Sequence, residues 1–181
     1  CSPRAPVHNA MHTFLRQAVR NFVLVFAANL LSTSYAAINV TISSVGPQSG
    51  GSFVGRVWTP TSSPSVILVS NLLAELESGN VTVQTTGALL EAGDITIAST
   101  LPLDDLVTVA SRTLTLNAAN HINVDAPIIQ NNPGGNAIPN VVSLTFNADS
   151  DVNGTGSVLI NGNVDTAGGN FTATGVNFGQ T

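Results

Sequence analysis

Residues 112–125 read Arg112-Thr113-Leu114-Thr115-Leu116-Asn117-Ala118-Ala119-Asn120-His121-Ile122-Asn123-Val124-Asp125. Leucines two apart with threonine between them, then a small polar break, then Ile122-Asn123-Val124, give the alternation of a half-buried strand, a corner and a second strand. The same signal recurs along the chain. Val81-Thr82-Val83, Ile95-Thr96-Ile97, Leu144-Thr145-Phe146, Val158-Leu159-Ile160 and Phe171-Thr172-Ala173 repeat it. Between them lie turn-forming clusters: Glu91-Ala92-Gly93-Asp94, Asn117-Ala118-Ala119-Asn120, Asn132-Pro133-Gly134-Gly135, Asn153-Gly154-Thr155-Gly156 and Ala167-Gly168-Gly169-Asn170.

Seven short strands fit two all-β architectures. One is an antiparallel sandwich. The other is a β-solenoid whose coils, of roughly 20 to 25 residues, carry two or three strands separated by corners. Strand centres recur at intervals of about 8, about 14 or about 20 residues, as strands and corners of such coils would. The strands are also alike enough to stack like on like, and both features favour the solenoid. Asn153-Gly154 and Asn161-Gly162 are not flanked as two-residue hairpins, which points the same way.

Residues 37–78 differ in character. They hold Pro47, Pro60, Pro64, Gly50-Gly51 and the single tryptophan, Trp58. Leu72, Leu73 and Leu76 share a face at helical spacing, with Asn71 as the expected cap and Gly79 as the stop. The reading is an N-terminal cap with a short helix over 37–78, followed by repeats over 79–181. Such a cap covers backbone groups that a bare solenoid end would expose.

Upstream of this, Arg16 and Arg20 precede an apolar run from Phe22 to Leu31 and small residues Ser34-Tyr35-Ala36, the order of a secretory signal. Cleavage is expected after Ala36, with Cys1–Ala10 as an upstream extension. The apolar run is only about ten residues, against roughly 20 for a membrane span. No membrane insertion is therefore expected after cleavage. Residues 37–181 contain no cysteine, so disulfides do not hold the fold.

Composition narrows the partners. Only 8% of the chain is charged and there is no lysine; residues 37–181 keep Arg56, Arg112 and all ten acidic side chains, a formal charge of −8. Nucleic-acid binding needs clustered cations and is excluded as an expectation. Thr, Asn and Ser carry solubility instead, and outward Thr82, Thr96, Thr115, Asn123 and Thr172 are expected to form polar ladders that contact host or environmental glycans or proteins.

Candidate chemistry is sparse. Asp149, Asp151 and Asn153, followed by Gly154, place oxygens at alternate positions as a calcium loop does, but Ile160 stands where an EF-hand supplies its bidentate Glu. The competing reading is an Asx-rich corner. His121 and Asp125 lie four strand residues apart, about 13 Å, too far for a triad contact. Asp104-Asp105 and Glu75 with Glu77 are neighbouring acids of a turn and a helix face, and catalysis is not expected. No other cofactor is implied.

The stretches Trp58-Thr59-Pro60-Thr61, Leu72–Leu76 with Gly79-Asn80-Val81-Thr82-Val83, Gly93-Asp94-Ile95-Thr96-Ile97, Leu114–Ala118, Ile122–Ile128, Asn147–Asp151 and Gly168–Thr172 resemble the filamentous-haemagglutinin-like and autotransporter-passenger surface proteins of bacteria. The resemblance spans roughly Gly50 to Gly175. It implies a right-handed parallel β-helix, secretion through the inner membrane, an outer-membrane export partner and display or release at the cell surface for adhesion. The repeat region is expected to be truncated at its C-terminal end. No Asn-Pro-Asn secretion motif stands near the mature start.

Overall fold

A computed structural model describes residues 37–86, 91–106, 110–130 and 141–180. The expected extension and signal, with cleavage after Ala36, and the Asn132–Gly135 corner lie outside the described residues. The elements run β1 (Val40–Ser43), β2 (Gly51–Val54), β3 (Val57–Pro60), β4 (Ser65–Leu68), α1 (Val69–Ser78), β5 (Val81–Gln84), β6 (Ile95–Ile97), β7 (Leu101–Pro102), a 3-10 turn (Leu103–Asp105) and β8 (Arg112–Asn117). They continue with β9 (Ile122–Val124), β10 (Ile128–Ile129), β11 (Val142–Asn147), β12 (Ser157–Ile160), β13 (Phe171–Thr174) and β14 (Asn177–Gln180). Each of the seven alternating segments falls within a strand. The physical cause is the period of two, which buries one side chain and exposes the next.

The fold is all-β with parallel sheets. One sheet runs β4-β1-β6-β9-β12-β14, a second β2-β3-β5-β8-β11-β13, and β7 pairs with β10 in a third. Among the described residues every strand pair is parallel except the β2–β3 hairpin. This removes the sandwich, whose sheets are antiparallel. From β5 onward the chain enters the second sheet, then the first, then the third, and begins again. Ile128 also bridges Val164 in parallel, extending the third row by one residue.

The step between stacked strands is mostly longer than the coil of roughly 20 to 25 residues expected from the sequence. Val81 lies opposite Leu114, and Leu114 in turn opposite Leu144. In the facing sheet Ile95 meets Ile122 after a shorter passage, and Ile122 meets Val158 after the longest. The passages from β1 to β4, with Val40 opposite Ser65, from β3 to β5, with Val57 opposite Thr82, and from β12 to β14, with Ser157 opposite Asn177, keep to the expected length. Strands stay aligned while the step varies, so the corners absorb the difference.

Register places like on like in the core. Val81, Leu114, Leu144 and Phe171 form one column, and Trp58, Val83, Leu116, Phe146 and Ala173 the next. The facing sheet stacks Ile67, Ile42, Ile97, Val124 and Ile160. Most are completely buried, and each large aliphatic side chain so placed contributes about 1.5–3 kcal/mol. The columns emerge into solvent at their last members: Phe171 is 38% exposed and Phe178, above Val158, 58%.

Residues 37–78 supply four strands as well as the helix. β1 lies between β4 and β6, so chain order and spatial order part here. Helix α1 begins two residues before the expected cap because Val69, Leu72 and Leu76, spaced three and four apart, are its buried stripe. Its cap residue is Leu68, which makes no side-chain cap bond; Asn71 instead donates Nδ2–H to Gln48 Oε1 at 2.8 Å. The β2–β3 hairpin turns through Gly55 and Arg56, at φ 59° and 66°, the pair of positive φ values that a tight two-residue hairpin requires. Asn153-Gly154 and Asn161-Gly162 sit outside any strand, consistent with the absence of hairpins there.

Candidate functional site

A repeating polar surface lies on the outward side of β5, β8, β11 and β13. Thr82, Thr115, Thr145 and Thr172 are direct partners from strand to strand. Beside them run Gln84, Asn117, Asn147 and Thr174, and on the other flank Thr113 lies opposite Ser143. Neighbouring strands are about 4.8 Å apart, so hydroxyls and amides recur at that interval. The rows are tied together. Asn147 Nδ2 donates to Asn117 Oδ1 at 2.8 Å, Gln84 Nε2 to Thr59 Oγ1 at 3.3 Å, Thr113 N–H to Asn80 Oδ1 at 3.0 Å and Asn170 N–H to Ser143 Oγ at 3.2 Å.

Of the expected ladder residues, Thr82, Thr115 and Thr172 come together here. Thr96 and Asn123 fall on the other large sheet, in a row with Thr41 that passes to Leu159. Thr145, Asn117 and Asn147 complete the grid, and their signal was the alternation Leu144-Thr145-Phe146-Asn147 itself. Arg112 stands at the edge of this face but turns its guanidinium toward the helix end, where Nε donates to Leu76 O and Nη2 to Glu77 O.

The corners next to the face bind one another. Asn39 Oδ1 accepts the N–H groups of Gly93 and Asp94, while Asn39 N–H donates to Glu91 Oε2 at 2.7 Å. Asp94 Oδ1 then accepts Asn120 Nδ2–H and His121 N–H, and His121 Nδ1 accepts Ser157 N–H at 3.0 Å. Each corner thus satisfies backbone donors of the next. The Ser63 hydroxyl, then the Asn39 N–H, hold the Glu91 carboxyl below its ordinary value. His121 and Asp125 take separate partners, since Asp125 Oδ1 accepts from Asn161 Nδ2.

The Asp149–Gly154 segment closes on itself. Asp149 Oδ1 accepts Asn153 and Gly154 N–H at 2.9 and 3.1 Å, Asp151 Oδ2 accepts Asn153 Nδ2–H at 2.8 Å, and Asn153 Oδ1 accepts the Thr155 N–H and hydroxyl. Asp151 Oδ1 is buried without a hydrogen-bond partner among the described residues. At Gly156 a Cβ would lie 2.5 Å from Asp149 N and 2.7 Å from Asn120 O, so only glycine lets this corner sit on the one below.

Among the described residues no group of three or more His, Cys, Asp or Glu side chains is placed to hold a metal ion. Asp104 and Asp105 are exposed in the 3-10 turn, and Glu75 and Glu77 lie on α1.

A separate cleft of about 300 Å³ opens between the β2–β3 hairpin and α1, lined by Gln48, Phe53, Asn71, Ala74 and Glu75. No single motif marked it, because its two walls come from segments well separated along the chain. No family model, curated protein or solved structure matches this chain.

Proposed function

We propose that this chain is a length of right-handed parallel β-helix from an exported, cell-surface adhesin-type protein, without catalytic machinery, acting as a rigid stalk with a weak multivalent contact face. The winding is supported by the fixed order in which successive passages visit the three rows of strands, and by the like-on-like register. Right-handedness follows from the strong preference of parallel crossovers for that hand. A rod of this kind lengthens by about 4.8 Å per coil and is stiffened by its stacked backbone hydrogen bonds.

The observation that carries the binding part is the uncharged row Thr82, Thr115, Thr145, Thr172 with its Asn117–Asn147 neighbour row. Repeated hydroxyls and amides on a flat face suit glycans or polar protein surfaces. Individually weak contacts gain strength through number. Secretion, association with the outer membrane and an export partner belong to the same reading.

Beads coated densely with the chain should adhere to a mucin layer, with retention falling steeply as bead coating is diluted. The double variant Thr115→Lys/Thr145→Lys, placing two like charges on adjacent strands of the face, should lower retention about tenfold. Retention indifferent to coating density and to these charges would end the proposal.

A further inference from the structure

The cleft between hairpin and helix joins an aromatic ring, two side-chain amides and one carboxylate around a small residue. We infer that it is a discrete binding site for one neutral pyranose unit of a glycan, independent of the polar sheet face.

Three observations lead there. The first is which atoms are left unused. Gln48 Oε1 is occupied, accepting Asn71 Nδ2–H at 2.8 Å and Leu68 N–H at 3.4 Å. Gln48 Nε2, Asn71 Oδ1 and both Glu75 carboxylate oxygens have no protein partner among the described residues. The residues lining the opening therefore carry one donor group and two acceptor groups without a protein partner among the described residues, the complement of a ring bearing hydroxyls that both give and receive hydrogen bonds.

The second is the ring. Phe53 is half-buried and packs edge-to-face on Trp58, with centroids 5.1 Å apart. Trp58 is itself completely buried and held by Nε1–H donation to Ser65 Oγ at 3.1 Å. The electron-rich face of such a ring attracts the C–H edge of a sugar, and here its orientation is set before any ligand arrives. Gly51 maintains the packing, because a Cβ there would lie 2.7 Å from the Trp58 ring.

The third is charge and size. Among the described residues of the lining Glu75 is the one ionisable side chain, so an anionic sugar would meet a carboxylate with no cation among them to balance it. A neutral hydroxyl-bearing ring meets no such repulsion. Ala74, exposed on α1, adds only a methyl group to the lining, where a longer side chain would intrude. A small, half-open site with few contacts implies affinity on the order of millimolar.

The test is ligand-observed NMR on the full chain with the methyl glycosides of glucose, galactose, mannose and N-acetylglucosamine, and with glucuronic acid. At least one neutral glycoside should give saturable transfer, and glucuronic acid should give at least tenfold less. Ala74→Leu and Glu75→Gln, on the outer side of a helix whose core stripe is Val69, Leu72 and Leu76, should each weaken binding about tenfold or more at unchanged melting temperature. Thr115→Lys/Thr145→Lys should leave it intact, which separates this site from adhesion by the sheet face. Absence of saturable binding by all four neutral glycosides, equal binding of glucuronic acid, or full retention in Ala74→Leu would each overturn the assignment.

Discussion

Asn147 donates its side-chain N–H to Asn117 Oδ1 at 2.8 Å, and the two residues are direct partners across β11 and β8. Parallel in-register pairing makes the bond possible, since it sets identical amides side by side with the donor of one against the acceptor of the other. A net contribution of about 1 kcal/mol is expected for such a bond. Asn147→Ala should lower stability by that amount in urea unfolding. Asn117→Ala/Asn147→Ala should cost clearly less than the two single losses added, because each single change already breaks the shared bond.

At Val152 backbone and side chain disagree. It is 85% exposed with φ at 58°, a region that β-branched side chains disfavour by about 1–2 kcal/mol. Its side chain buries little, so replacing it forfeits little packing. Val152→Asn should raise stability by about 1 kcal/mol, seen as a higher midpoint in thermal or urea unfolding. A lower midpoint would mean that the valine side chain matters to the corner.

Glu91 gives the fold an acid sensitivity. Its carboxyl is held below the ordinary value of 4.5 by the Ser63 hydroxyl and the Asn39 N–H. A carboxyl depressed on folding stabilises fully above its unfolded pKa, and that share is lost as pH falls through the folded value. Glu91→Gln should therefore be less stable than the parent at pH 7, with the gap closing as pH drops below about 4.5. Urea midpoints measured for both proteins between pH 7 and pH 3 test the sign.

The Asp149 corner should be stable by itself. With its carboxylate accepting Asn153 and Gly154 N–H, Asp149→Ala is expected to cost about 1–2 kcal/mol. Asp149→Asn, which keeps an acceptor and tolerates φ 57°, should cost less. Millimolar calcium should leave the melting temperature unchanged. A calcium-dependent rise that disappears in Asp149→Ala or Asp151→Asn would instead make this corner an ion site.

The strands were legible because their signal is local. Leu114-Thr115-Leu116 and Ile95-Thr96-Ile97 alternate within three residues, and period two suffices to place one side inward. The candidate face was partly legible for the same reason: Thr82, Thr115 and Thr172 are outward by alternation alone. That they share a row, whereas Thr96 and Asn123 join another sheet, depends on which strands become neighbours. Asn71 shows the limit of a local rule. A capping signal was present, but burial of Val69 drew the helix start earlier and freed Asn71 to bond Gln48.

Residue pattern alone was enough to read short strands with apolar inner and hydroxyl or amide outer sides, and turns at Gly, Asn and Asp clusters. Those properties follow from side-chain chemistry within a few residues. Long-range pairing alone sets β1 between β4 and β6, makes most steps between stacked strands longer than the strand spacing suggests, and brings Gln48, Phe53, Asn71 and Glu75 to one cleft. Such juxtapositions arise from long-range pairing, where loops of very different length close at nearly equal entropic cost and the burial of matched columns selects the register.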